Sequence, residues 1–215
     1  MKRRILVQLA AGMLGVVAGA GLTPMAWAGD EAPDAMIKRL SDEVLAAIKA
    51  DKAVQAGDTS RVIALVDSMI MPNVNFQRMT AAAVGPAWRQ ATPEQRHRLQ
   101  DEFKILLVRT YAGALSQVND QIVSLKPQRG STADTDVMVR TEIRGRGEPI
   151  QLDYRLEKAP GQGAGWRIYN INVLGVWLVE TYRNQFAQEI NSKGVDGLIA
   201  ALAERNKSNA NAKKG

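Results

Sequence analysis

The side chains able to do acid–base or nucleophilic chemistry are few and scattered. The sole histidine, His97, lies between Arg96 and Arg98 and away from the apolar positions Leu99 and Phe103, as on a solvated helix face. One histidine and no cysteine leave no soft-ligand metal cluster. No Gly-x-Ser-x-Gly elbow, phosphate loop or dinucleotide fingerprint is present. The acid pairs Asp42-Glu43 and Asp101-Glu102 fall on helix surfaces. Asp153 and Glu157 alternate outwards on a strand, where Asp153 suits a cross-strand arginine better than a role as base. The basic residues are mixed with acids and form no stripe interleaved with aromatics, so nucleic-acid binding is not expected. These patterns point away from an enzyme.

The elements that carry these residues read as helices, then strands, then helices. Ile37, Leu40, Val44 and Ile48 mark a helix from Pro33 to about Lys52. A second helix spans Thr59 to Met71 and stops at Pro72, and a third spans Phe76 to Val84 before Gly85-Pro86. Thr92-Pro93-Glu94-Gln95 is a capping box that opens a long amphipathic helix. Leu99, Phe103, Leu106, Leu107, Tyr111 and Val118 lie on its apolar face.

The period then changes to two. Strands are expected over Ile122–Lys126, Asp134–Arg144, Glu148–Glu157 and Trp166–Val173. Val137, Val139, Thr141 and Ile143 share one face, as do Ile150, Leu152, Tyr154 and Leu156. Gly145-Arg146-Gly147 makes a short hairpin loop. Helical spacing returns after Gly175 with Val176, Val179, Tyr182, Phe186 and Ile190; Gly194 ends that helix and Asp196 caps another. The fold class is α+β: helices packed on one face of a curved antiparallel sheet of about four strands, enclosing an apolar interior.

Residues 1–28 read as a cleavable export signal: Lys2, Arg3 and Arg4, an apolar run from Ile5 to Leu22, then Ala26-Trp27-Ala28 before Gly29. Residues 29–205 form one domain, and 206–215 a polar, disordered tail. Removing the signal lowers the formal charge from +6 to +3, so basicity carries little argument.

Several segments together resemble the MlaC family of periplasmic phospholipid-binding, or toluene-tolerance, proteins. They are Phe76-Gln77-Arg78-Met79-Thr80, Trp88 through Gln95, Thr110-Tyr111, Ile150-Gln151-Leu152-Asp153-Tyr154, Trp166 through Asn170, Gly175-Val176 and Gly194 through Leu198. Asn170 stands where the family commonly has aspartate, and Trp177 where it often has a small polar residue, which puts one pocket wall in doubt. The resemblance implies a cone related to nuclear transport factor 2 with added helices, and a monomer. It implies a cavity for the acyl chains of a glycerophospholipid, with no other cofactor, and a role in keeping the outer membrane's lipid asymmetry. It also implies two partners: the inner-membrane MlaFEDB transporter, through its MCE-domain subunit MlaD, and the outer-membrane MlaA–porin complex.

With strand alternation and helix phase, the resemblance makes Phe103, Leu107, Tyr111, Val139, Ile150, Leu152, Tyr154, Ile168 and Val176 the expected lipid-binding residues. Gly85 and Gly175 are candidate hinges; Arg140, Arg144, Arg146 and Arg155 read first as solvated strand-face charges, with contacts to head groups or acidic partners as the alternative. Two other functions fit the same pattern. A cone-fold isomerase of a hydrophobic small molecule needs a carboxylate inside the cavity. A periplasmic protein-binding module would hold no lipid.

Overall fold

The computed structural model describes residues 31–115, 118, 120–127, 134–145 and 147–211. The expected export signal, Arg146 and residues 212–215 lie outside them. Helix α1 (Pro33–Ala50) ends where Asp51 turns the chain and accepts from the N–H groups of Ala53 and Val54. Asp51 thereby caps the short α2 (Lys52–Gln55), and Asp58 caps α3 (Thr59–Leu65) in the same way.

The second helix does not run on regularly to Met71. It passes through a π turn at Val66–Ile70 and a 3-10 turn at Met71–Asn73 that contains Pro72. Helix α4 (Phe76–Val84) starts at Asn75, whose side chain accepts from the Arg78 N–H at 3.0 Å. It ends at Gly85, whose φ of +73° disfavours any other residue.

The capping box at Thr92 forms as the spacing predicts. Thr92 Oγ1 accepts from the Gln95 N–H, and Gln95 Oε1 accepts from the Thr92 N–H. Helix α5 (Pro93–Leu115) follows. Its Leu99, Phe103 and Leu106 enter the main core, whereas Val108 and Ala112 enter a second cluster with Ile48, Val54, Val62 and Leu65. One helix therefore ties two apolar clusters together.

Strands β1 (Ile122–Leu125), β2 (Asp136–Arg144), β3 (Ile150–Lys158), β4 (Trp166–Val173) and β5 (Val176–Trp177) form one antiparallel sheet in sequence order. The fifth strand corrects the reading of Val176: it belongs to a hairpin with β4, and α6 (Leu178–Asn211) begins only after Trp177.

Gly194 breaks α6 with φ +71°, the interruption expected there. The helix nevertheless runs through Asn211, so residues 206–211 are not a disordered tail. Asn206 is 5% exposed, and its amide donates to the backbone and side-chain oxygens of Glu102. Burial of this anchor on α5 extends the helix beyond its last apolar positions.

At the centre of the core, Phe103 touches Phe76, Tyr182 and Phe186 with ring centroids 5.0 to 5.7 Å apart, edge-on to the last two. Three helices meet through this one ring. Phe103→Ala is expected to cost roughly 3–5 kcal/mol in chemical denaturation. A loss below about 1 kcal/mol would contradict this role.

Candidate functional site

The strand register sorts the sheet into two chemical faces. Val137, Val139, Thr141 and Ile143 lie opposite Leu156, Tyr154, Leu152 and Ile150. On β4, Ile168 lies beside Leu156, and then a bulge at Tyr169 shifts the register. Beyond it Ile171 and Val173 lie beside Tyr154 and Leu152, and Val176 lies beside Val173. These residues form one continuous apolar surface, the inner face, against which α1, α4 and α6 pack.

Burial along the inner face is graded. Val137, Val139, Leu156 and Ile168 are buried in the main core. Tyr154, Ile171 and Val173 are half-buried against it. At the far end Ile150 is 37% and Val176 50% exposed. Leu174, in the turn between Val173 and Val176, is exposed at that end, whereas Ile122 is exposed beside Arg144 on the other face and Leu125 at the β1 edge beside Thr141.

Leu174 and Gly175 form the β4–β5 turn, and both have positive φ, +52° and +87°, the mark of a type I′ turn. Leucine in that conformation is strained by about 1–2 kcal/mol. It is held by its own N–H donating to Gln151 O and by Asn172 Oδ1 accepting from the Gly175 N–H.

The opposite face is polar. Asp153 is buried there and accepts from the Gln151 amide at 2.9 Å, although the register places it opposite Arg140. Glu157 accepts from Asn75 and Arg78. Arg155 lies 4.2 Å over the Trp177 ring and bonds Glu180 at 2.8 Å. Trp177 pairs with Asn172 on this face, so it leaves the inner wall unchanged, contrary to the doubt it raised. Asn170 accepts from the N–H groups of Ile171 and Val179 and donates to Glu180, which fixes the start of α6. The amide supplies the acceptor there without the charge of an aspartate. Arg144 bonds Glu142 and Arg140 is exposed. His97 is 78% exposed beside Asp101.

Two cavities of about 370 and 210 Å³ have no sheet residue in their lining. The larger lies between α5 and the C-terminal part of α6, at Glu102, Arg109 and Asn206. The deep part of the inner face is closed, with Phe103, Leu106 and Leu156 fully buried. Among the described residues no helix is long and apolar enough to cross a membrane.

Known proteins share this arrangement. The family model described as MlaC protein matches residues 38–204. The chain belongs to the MlaC family. A solved structure of the phospholipid-binding protein from Ralstonia solanacearum, in complex with a phospholipid, is 49% identical with a TM-score of 0.79. The match covers 82% of this chain and 98% of that one. Toluene tolerance protein Ttg2D of Pseudomonas putida is 28% identical over 91% of this chain and 85% of its own length. The intermembrane phospholipid transport system binding protein MlaC of Haemophilus influenzae is 22% identical over 81% of this chain and 82% of its own length.

In this MlaC-family chain the structure brings Phe103, Leu107, Tyr111, Val139, Tyr154 and Ile168 into one cluster. Leu152, Ile150 and Val176 continue the same surface outwards, with Ile150 and Val176 at its exposed rim rather than inside it. Burial holds the Tyr154 phenol above the usual tyrosine range, and Ser41 on α1 and Thr141 on β2 partly offset that rise. Ser41 and the strained Leu174 carry no signal in the sequence pattern, since a lone helix serine and a Leu-Gly turn are common.

Burial pushes the Tyr154 and Tyr111 phenols up, and Tyr169 is pushed up to about 12 by burial and its bond to Asp136. The folded chain holds these protons more tightly than the unfolded one. Their contribution to stability is therefore full below pH 10 and is lost as the pH rises through the folded values. Tyr169→Phe is expected to flatten the fall in stability between pH 10 and 12. Spectrophotometric titration checks it: a wild-type tyrosinate signal complete by about pH 10 would contradict the shifts.

Proposed function

We propose that this protein is a periplasmic phospholipid carrier rather than an enzyme. The observation that carries the reading is the graded inner face, in a chain 49% identical to a protein solved with a phospholipid bound. Acyl chains lie against Phe103, Leu107, Tyr111, Val139, Leu152, Tyr154 and Ile168, and leave past Ile150 and Val176 to a head group at the rim. Residues 1–28 are removed on export, and the mature monomer exchanges lipid with MlaD of the inner-membrane transporter and with the outer-membrane MlaA–porin complex. That exchange maintains outer-membrane lipid asymmetry. The isomerase reading loses support because Asp153 and Glu157 stand on the opposite face of the sheet.

Energetics supply the need for a carrier. Two acyl chains of about 15 methylenes each, at ~0.8 kcal/mol per methylene, cost on the order of 24 kcal/mol to expose to water. An apolar protein site offsets that cost, so transfer between membrane and carrier runs close to balance. Direction then comes from the partners. To bring a chain to the buried deep rows, loading parts the helices from the sheet, and Gly85 and Gly175, both with positive φ, are the hinges we assign.

Mass spectrometry of a solvent extract of the purified, exported protein is expected to find co-purifying phospholipid. A lipid-free extract would overturn the carrier reading and favour a protein-binding module. Ile150→Glu and Val176→Glu both place a charge at half-exposed positions, so the fold survives while co-purifying lipid is lost. Unchanged lipid content in these folded variants would remove the two residues from the site.

A further inference from the structure

We infer that the inner face is a chain-length ruler with a fixed floor at Trp166, which takes lipids with acyl chains of up to about 16 carbons and discriminates against longer ones. The inference rests on the carrier reading above and names the class of cargo that the site accepts.

The two ends of the inner face are built differently. At the rim Ile150 and Val176 are exposed. At the deep end Leu156, Ile168 and Trp166 are buried, and the segments that cover them are bonded to the sheet. The Asn75 N–H, at the start of α4, donates to Ile168 O at 2.8 Å, and Val74 forms a bridge with Ile168. Arg167 donates to Val74 O at 2.7 Å. Asn75 and Arg78 also bond Glu157. Ahead of α1, the Glu31 N–H donates to Ala164 O at 3.2 Å. Parting the cover here would strip backbone groups of their partners, whereas parting it nearer the rim breaks apolar contacts that a cargo chain restores. The deep end therefore stays shut while the rim opens, and the depth of the site is the same at each loading.

Trp166 closes that end. It pairs with Lys158, two residues beyond Leu156, and the Lys158 ammonium lies 5.9 Å over the indole. Past this row the β3–β4 connection turns back, with the Ala159 N–H donating to Gly165 O at 2.8 Å. A chain that passed Leu156 would meet a bulky ring backed by a charge and a backbone turn.

The distance sets the length. From the Ile150 row to the Leu156 row is six residues, about 20 Å at ~3.4 Å per residue. A straight hydrocarbon chain with bonds of ~1.5 Å and angles near ~111° advances roughly 1.25 Å per carbon. About 16 carbons thus fit between rim and floor. Up to that length a chain exchanges membrane hydrocarbon for protein hydrocarbon, so loading does not depend on length. Each further methylene is left in water at the rim and lowers loading by roughly four-fold.

A plainer role for Trp166 is to fill the core. That role affects the loading of every lipid equally, so it puts no break in the dependence on chain length.

The test is a competition. Delipidated protein is equilibrated with dioleoyl phosphatidylglycerol vesicles that hold equal small amounts of saturated phosphatidylglycerols with chains of about 12 to 22 carbons, spanning the length the ruler sets. Native mass spectrometry counts the bound species. Wild type is expected to load the shorter members evenly and to fall at least ~10-fold between about 16 and 20 carbons. Trp166→Phe keeps a ring in the core but removes its outer part, so the break is expected to move outwards by roughly two carbons. Trp177→Phe, on the polar face, is expected to keep the wild-type profile. A level profile in wild type, or a break at a much shorter length, overturns the ruler without reference to any variant and leaves the carrier reading standing. A break that stays in place in folded Trp166→Phe overturns the role of this residue. Loading of no phospholipid overturns the carrier reading and this inference with it.

Discussion

Water is kept from Val137, Val139, Leu156 and Ile168 only because helices lie across them. A one-sided antiparallel sheet of this kind must have a cover on its apolar face, and the cover here is several separate helices rather than a second sheet. Phe103 draws that cover together from α5, meeting Phe76 of α4 and Tyr182 and Phe186 of α6. On the carrier reading proposed above, that same burial is exchangeable. An acyl chain that replaces helix contacts on the sheet restores apolar contact of the same kind, so opening costs far less with cargo than without it.

The bulge at Tyr169 lets one strand serve two needs. Before it, Trp166 and Ile168 enter the core. After it, Asn170 and Asn172 turn to the polar face while Ile171 and Val173 keep the inner face apolar. The two asparagines then fix the turn and the start of α6, next to the rim where the inner face reaches solvent. A strained Leu174 is tolerated at that turn because hydrogen bonds on both sides over-determine it.

Much of this was legible in the residue pattern. The Thr92–Gln95 box starts α5 where expected, α4 and β4 have their predicted bounds, and strand alternation assigns the inner face correctly. Alternation gives the face but not the depth, so it does not separate Ile150, at the rim, from the buried Val139. Hydrophobic period cannot register a π turn at Val66–Ile70 or a bulge at Tyr169, because both insert a residue without changing the composition. The run of α6 past Asn206 depends on a tertiary bond to Glu102 that local propensity does not contain. Val176 and Trp177 share a further difficulty. The two-residue strand β5, short and beside a glycine, has too little pattern to separate from the helix that follows.

On the carrier reading, acyl chains lie on the inner face of the sheet. Photo-crosslinking tests it most directly, with a phospholipid that carries a photoreactive group at the end of one acyl chain and with peptide mapping of the adducts. Adducts are expected at the deep row and the helix above it, on Val137, Leu156, Ile168 or Phe103. Adducts confined to the cavity between α5 and α6 at Glu102, Arg109 and Asn206, or to the polar face at Trp177, would contradict it.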